Sequence, residues 1–207
     1  MERSKKKKIL ILFLILIPTL FIIAVIVMGV PPTFNAPTLE FPIVEEGNIR
    51  ELRAYAIPDW NGPGTHHTGI DLVINESASI IAPFDGTIVL ITEFKNTYGE
   101  DDNILFNIRI RINWGWYIDL SFEPNYPGDD NIKNAQQRQA IQVTWLQRVD
   151  KGDPIGTLLY DNNGSHLHYK LGTGFTDKCP YEYSSDVAKL IFDAIPVNKD
   201  YDICLNP

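Results

Sequence analysis

The sequence predicts a mainly β fold: an antiparallel sandwich or barrel-like core with a small inserted helix and a C-terminal helix, preceded by one transmembrane helix. Three observations carry that expectation. Several short runs are rich in β-branched residues or alternate in polarity, Gly and Asn punctuate the stretches between them, and one long uncharged run lies near the N-terminus.

Residues 9–30 hold 22 positions with no charge and one proline. At about 1.5 Å per residue such a helix reaches roughly 33 Å, enough to cross a bilayer. A cleaved signal peptide has a shorter apolar core and a small-residue cleavage site, which Met28-Gly29-Val30-Pro31-Pro32 does not offer. Arg3 and the lysines at 5 to 8 precede the run. The positive-inside rule then makes residues 1–8 a cytoplasmic tail, residues 9–30 a single-pass anchor in the cell membrane, and the rest extracytoplasmic.

Taking the five basic residues and Glu2 of the N-terminal segment from totals of 18 basic and 26 acidic leaves 13 and 25 in residues 31–207, a net charge of −12. That sign gives no electrostatic reason to bind nucleic acid or anionic lipid heads, and it mildly favours neutral or cationic peptides. Residues 31–47 open with a proline-rich stretch lacking periodicity and read as an extended spacer that holds the domain off the membrane. What remains is long enough for one domain with a real core over residues 48–175, followed by a helical extension over 176–207.

Within the domain, residues 86–92 are rich in β-branched side chains. Residues 106–112 alternate apolar with polar, placing Asn107, Arg109 and Arg111 on one face. Residues 117–122, 154–160 and 166–171 complete the set of short strands, with turns marked by Asn113 and Gly115, Gly152, and Asn162 to Gly164. Residues 131–147 are polar, glutamine-rich and free of Gly and Pro, which predicts the inserted helix. Residues 185–195 have a serine N-cap, apolar positions at helical spacing and Pro196 as a stop, which predicts the C-terminal helix. Cys179 and Cys204 are the only cysteines, and an oxidising compartment would pair them around that helix. As metal ligands they would lack the paired spacing of zinc-ribbon sites.

The chemistry is concentrated in the histidines. All four fall in two clusters, His66-His67-Thr68-Gly69-Ile70-Asp71 and His166-Leu167-His168. Residues two apart on a strand share a face, so His166 and His168 stand side by side while Leu167, Tyr169 and Leu171 point into a core. His67 and Asp71, with Gly69 between them, read as a loop folding back so that both side chains meet one ion. A carboxylate and imidazoles suit Zn2+, and three protein ligands with a spare imidazole match a catalytic site that keeps a position for water. His66 has no assigned task.

These motifs resemble the lysostaphin- and LytM-type zinc endopeptidases, whose signature is His-x-x-x-Asp early and His-x-His late. Residues 81–88 and 149–156 are similar to the family's strand and turn segments, and the resemblance covers roughly residues 50–175. It implies that His67, Asp71 and His168 bind zinc and that His166 is a catalytic imidazole. It also implies a β-barrel-like metallopeptidase core with a groove across the metal, acting on a peptide or a cell-wall cross-link. One family residue is absent: a further histidine after a Leu-Tyr-Ala-like strand end, where this chain has Glu123. Glu123 could act as a general base, or it could be a surface residue at a strand end, in which case a lost proton-transfer group costs about 10²–10⁴ in rate.

The main rival is a non-catalytic module of the same fold that keeps its zinc or its groove and regulates or recruits another wall hydrolase. A carrier domain lacks its modified-lysine hairpin here. An adhesion role would survive loss of His168, whereas a hydrolase would not.

Overall fold

The computed structural model describes residues 16–19, 29–96, 102–162, 164–174 and 176–205. Ten strands follow in chain order: β1 (Ile49–Arg53), β2 (Ile70–Ile74), β3 (Ala78–Ile81), β4 (Gly86–Lys95), β5 (Ile104–Arg111), β6 (Trp116–Glu123), β7 (Arg148–Val149), β8 (Pro154–Leu158), β9 (His166–Thr173) and β10 (Thr176–Lys178). Eight of them form one sheet in the order β1-β2-β9-β6-β5-β4-β7, with β10 beside β9, while β3 and β8 pair as a separate ribbon. Every pairing is antiparallel.

The architecture is therefore mainly β with few helices, as the strand signals predict, but its two layers are unequal. Ile80, Ile155 and Leu158 of the small ribbon are buried in the same apolar cluster as Ile88, Ile108, Ile118, Leu120, Leu167 and Leu171 of the large sheet. β9 shows why the sequence folds this way: Leu167, Tyr169 and Leu171 are fully buried, whereas His166, His168 and Lys170 between them are only partly so. Burying one apolar face of such a strand fixes its register, because a slip of one residue would turn every side chain over.

The inserted helix, α1, runs over Asn131–Ala140 and stops seven residues short of the expected 147. Asp130 caps its start by accepting from the Lys133 amide at 3.0 Å. Its end is set by tertiary pairing, since the Gln142 amide donates to the Ile155 carbonyl at 2.9 Å and Val143 is buried. The C-terminal helix, α2, spans Asp186–Ala194, with Ser185 accepting from the Ala188 amide at 3.1 Å. Its Phe192 packs edge-on against Phe41 with ring centroids 4.8 Å apart. Cys179 and Cys204 are disulfide-bonded across it.

The proline-rich segment departs from the expected free spacer. Leu39, Phe41 and Ile43 are core residues, and the Leu39 amide donates to the Tyr183 carbonyl at 2.8 Å, so the segment is strapped along the domain. Its apolar side chains at 39, 41 and 43 alternate like a strand edge and bury more surface docked than free. Of the span expected over residues 9–30, only 16–19 and 29–30 lie among the described residues, where no helix is long and apolar enough to cross a membrane.

Candidate metal centre

The site is laid out by cross-strand registry. Arg53 of β1 pairs with Asp71 of β2, Asp71 with His168 of β9, His168 with Ser121 of β6, and Ser121 with Asn107 of β5. Directly opposed residues of an antiparallel sheet project to the same side. One row thus carries five polar side chains across five strands, on the face opposite the core. The rows beside it continue the pattern, with His166 opposite Glu123 and Lys170 opposite Asp119.

His67 reaches this row from the loop before β2. Its backbone is held by two hydrogen bonds: the Ala56 amide donates to the His67 carbonyl at 2.8 Å, and the His67 amide donates to the Ile57 carbonyl at 3.0 Å. The imidazole is 1% exposed, and Trp60 covers it with ring centroids 4.3 Å apart. Gly69 allows the close packing, because a Cβ there would lie 2.6 Å from the Tyr169 carbonyl oxygen and 2.8 Å from His168 Nε2. Asp71 itself stands on β2 and not in a loop, so a loop side chain and a strand side chain meet across only three intervening residues.

Three donor atoms converge. His67 Nε2 lies 2.9 Å from Asp71 Oδ1 and 3.2 Å from His168 Nδ1, and His168 Nδ1 lies 2.8 Å from Asp71 Oδ1. His67 Nδ1–H donates to the Ala54 carbonyl at 2.6 Å, which leaves the Nε2 lone pair aimed into the triangle. Two imidazole nitrogens and a carboxylate oxygen facing one point are all acceptors when the imidazoles are neutral, an arrangement that calls for a cation. A tetrahedral zinc with bonds of about 2.0–2.1 Å has ligand edges of about 3.3 Å, so the triangle fits zinc by opening a few tenths of an ångström. These three residues form a group of His, Asp and His able to hold a metal ion.

The carboxylates and imidazoles also shift one another's titration. Burial alone would push the Asp71 carboxyl up, but His166, His67 and His168 around it hold it well below the usual carboxylate range. Burial would lower His166, yet the Asp71 and Glu123 carboxylates outweigh it and raise that imidazole to about 9. His168 is also raised, its burial outweighed chiefly by Asp71. The second Asp71 oxygen lies 3.7 Å from Arg53 Nη1 and 3.7 Å from His166 Nε2.

His166 stands beside the triangle and outside it. Its Nδ1–H donates to the Gly164 carbonyl at 2.7 Å, and its Nε2 lies 3.0 Å from Glu123 Oε2. Glu123 ends β6 with its side chain 16% exposed, facing His166. Glu123 thus meets the site through His166. His66 is exposed at the rim. A groove of about 900 Å³ runs over the donors, walled by Trp60 and Asn61 on one side and by Phe94 and Leu105 on the other.

Arg53, Trp60 and the Ser121–Asn107 pair, whose hydroxyl donates to the Asn107 amide oxygen at 3.0 Å, are site residues that no sequence motif marks. The alternation at 107, 109 and 111 marks part of the same polar face.

No family model matches the chain, and no curated protein does. Among solved structures, it is similar to a zinc-containing peptidase from Vibrio cholerae at TM-score 0.46 and 15% identity, covering 69% of this chain and 39% of that one. It is similar to Helicobacter pylori Csd3 at TM-score 0.45 and 16% identity, covering 76% and 40%. It is also similar to the catalytic domain of a mutant prophage-encoded M23 protein, EnpA, from Enterococcus faecalis, at TM-score 0.41 and 16% identity, covering 70% and 94%. The matched region thus spans about two fifths of the first two chains. With each of these TM-scores below 0.5, the functional reading rests on the donor geometry.

Proposed function

We propose that this chain is a membrane-anchored, extracytoplasmic zinc metallopeptidase that hydrolyses peptide bonds, in cell-wall cross-links or in a surface peptide. The observation that carries the reading is the convergence of His67 Nε2, Asp71 Oδ1 and His168 Nδ1, residues up to 101 positions apart, on one point beneath an open groove. The sequence motifs add the peptidase assignment, and the charge bias around residues 9–30 adds the topology.

His67, Asp71 and His168 would hold the ion, and bound zinc supplies Lewis acidity together with a coordinated water of pKa near 7. The chain's own residues do the rest. The Ala54 carbonyl fixes the His67 tautomer. Arg53 Nη1 lies 3.7 Å from the other Asp71 oxygen. His166, tied at Nδ1 to Gly164, shares its Nε2–H with Glu123 Oε2 at the wall of the groove, and that pair can pass a proton to the leaving amine. Glu123 orients that imidazole and, with Asp71, favours its protonated form. Trp60 over His67 excludes water from the buried side of the donors.

Zinc stoichiometry and peptide-library cleavage by the full chain in detergent, alongside His168→Ala, test the reading. One zinc per chain with cleavage that His168→Ala abolishes supports it. One zinc per chain with no cleavage supports the non-catalytic module instead.

A further inference from the structure

Val30 is the last residue of the apolar run and also a buried residue of the domain, 6% exposed. The residues around it are pinned in succession. The Gly29 carbonyl accepts from Arg148 Nη1 at 3.4 Å and the Pro31 carbonyl from the Trp114 amide at 3.2 Å. The Phe34 carbonyl accepts from Trp116 Nε1 and the Asn35 carbonyl from Asn113 Nδ2, each at 2.9 Å. No slack chain separates the apolar run from the domain. If residues 9–30 lie in a bilayer, the protein surface around Val30 must sit within a few ångströms of it.

That surface is aromatic. Phe34 is 68% exposed, Trp145 66% and Trp114 39%, and Phe34 meets Trp114 edge to face at 6.4 Å. Trp145 stands three residues before Arg148, the partner of Gly29, and its indole N–H donates to the Val89 carbonyl at 3.2 Å. With its polar atom bonded inside the protein, what Trp145 shows to the outside is ring carbon. Tryptophan rings partition to the water–lipid boundary without needing a charged lipid, which suits a domain of net negative charge.

We propose that the end of the sheet carrying Phe34, Trp114 and Trp145 seats in the headgroup region of the bilayer that holds residues 9–30. The proposal rests on the anchored reading above and goes beyond it by fixing the orientation of the domain. β6 begins at Trp116 beside this end, and Ser121, in register with His168, comes five residues later. The metal donors then stand at most about 23 Å along the chain from Trp114 at the membrane-facing end, seven residues at about 3.3 Å each. The groove serves substrates lying next to the membrane.

The test uses the full chain in phosphatidylcholine vesicles whose acyl chains are brominated near the headgroups. All four tryptophans, Trp60, Trp114, Trp116 and Trp145, follow residue 30, so quenching reports on the domain and not on the apolar run. Brominated lipid is expected to dim the wild-type chain towards the share contributed by two of the four tryptophans, and the double variant Trp114→Phe with Trp145→Phe to lose most of that quenching. A chain that floats with vesicles through an alkaline wash, yet is unquenched or is quenched equally in the double variant, overturns the seating while leaving the anchor intact. A chain that does not float overturns both. If Trp145→Glu instead converts a detergent-solubilised dimer into a monomer, the face joins two copies and the proposal is wrong.

Discussion

Replacing Gly69 with alanine tests the site without touching any donor. The new Cβ would lie 2.6 Å from the Tyr169 carbonyl oxygen and 2.8 Å from His168 Nε2, where ordinary contact begins at 3.4 Å. The deficits are 3.4 − 2.6 = 0.8 Å and 3.4 − 2.8 = 0.6 Å. The Tyr169 carbonyl belongs to β9, whose Tyr169 pairs with Ile70 of β2, so the sheet backbone is not free to yield. Either His168 swings away or the chain from His67 to Asp71 lifts, and both movements carry a donor from its bonding position by more than the roughly 0.2 Å that metal–ligand distances tolerate. Overpacking of this kind costs about 1–3 kcal/mol, which corresponds to a 5- to 150-fold weaker zinc affinity. A competition titration against a chromophoric chelator reads that change, with thermal unfolding of the zinc-free protein as a control for folding. A folded variant that binds zinc within twofold of wild type would refute the packing argument.

Glu123→Gln should lower kcat on the order of 10- to 100-fold with little change in KM and full zinc content, and Glu123→Ala should lower it further, because a positioning carboxylate is lost and no ligand is; wild-type kcat in both variants would remove Glu123 from the mechanism. Zinc affinity should fall as pH is lowered, starting above the ordinary imidazole range because the His168 imidazole is raised by Asp71, by about tenfold per pH unit for each ligand that must lose a proton; a flat profile in the same chelator titration would contradict histidine ligation. Cys179→Ser with Cys204→Ser should cost about 3 kcal/mol of stability from the loop it opens, measured by denaturant unfolding, and leave zinc binding unchanged. Tyr169→Phe should be neutral or stabilising by up to about 1 kcal/mol, because the buried hydroxyl finds no hydrogen-bond partner among the described residues; a loss of more than that in the same unfolding assay would mean the hydroxyl is bonded in solution.

The parts of the site that obey local rules were the legible ones. His166 and His168 sit two apart on a strand whose intervening residues are apolar, and period-two alternation suffices to put both on one face. Ser185 and Pro196 bracket α2 by cap chemistry that belongs to neighbouring residues, so its limits could be read almost to the residue. β2 carries no alternation signal because all five of its residues are buried, so the strand position of Asp71 is not legible in the sequence. Residues 39, 41 and 43 lie in a proline-rich setting that masks their apolar alternation. Registry is a property of strand pairs. Nothing local to Arg53, Ser121 or Asn107 states that they share a row with His168. The inserted helix ends before its polar run does for a similar reason, since Val143 and Ile155 take up the segment after Ala140 through contacts that sequence periodicity does not contain.

Anomalous diffraction at the zinc edge from zinc-loaded crystals tests the account most directly. It predicts one peak about 2.0–2.1 Å from each of His67 Nε2, Asp71 Oδ1 and His168 Nδ1, with His166 outside the coordination sphere. A peak bound by other residues, or saturating zinc with no peak inside that triangle, would contradict it.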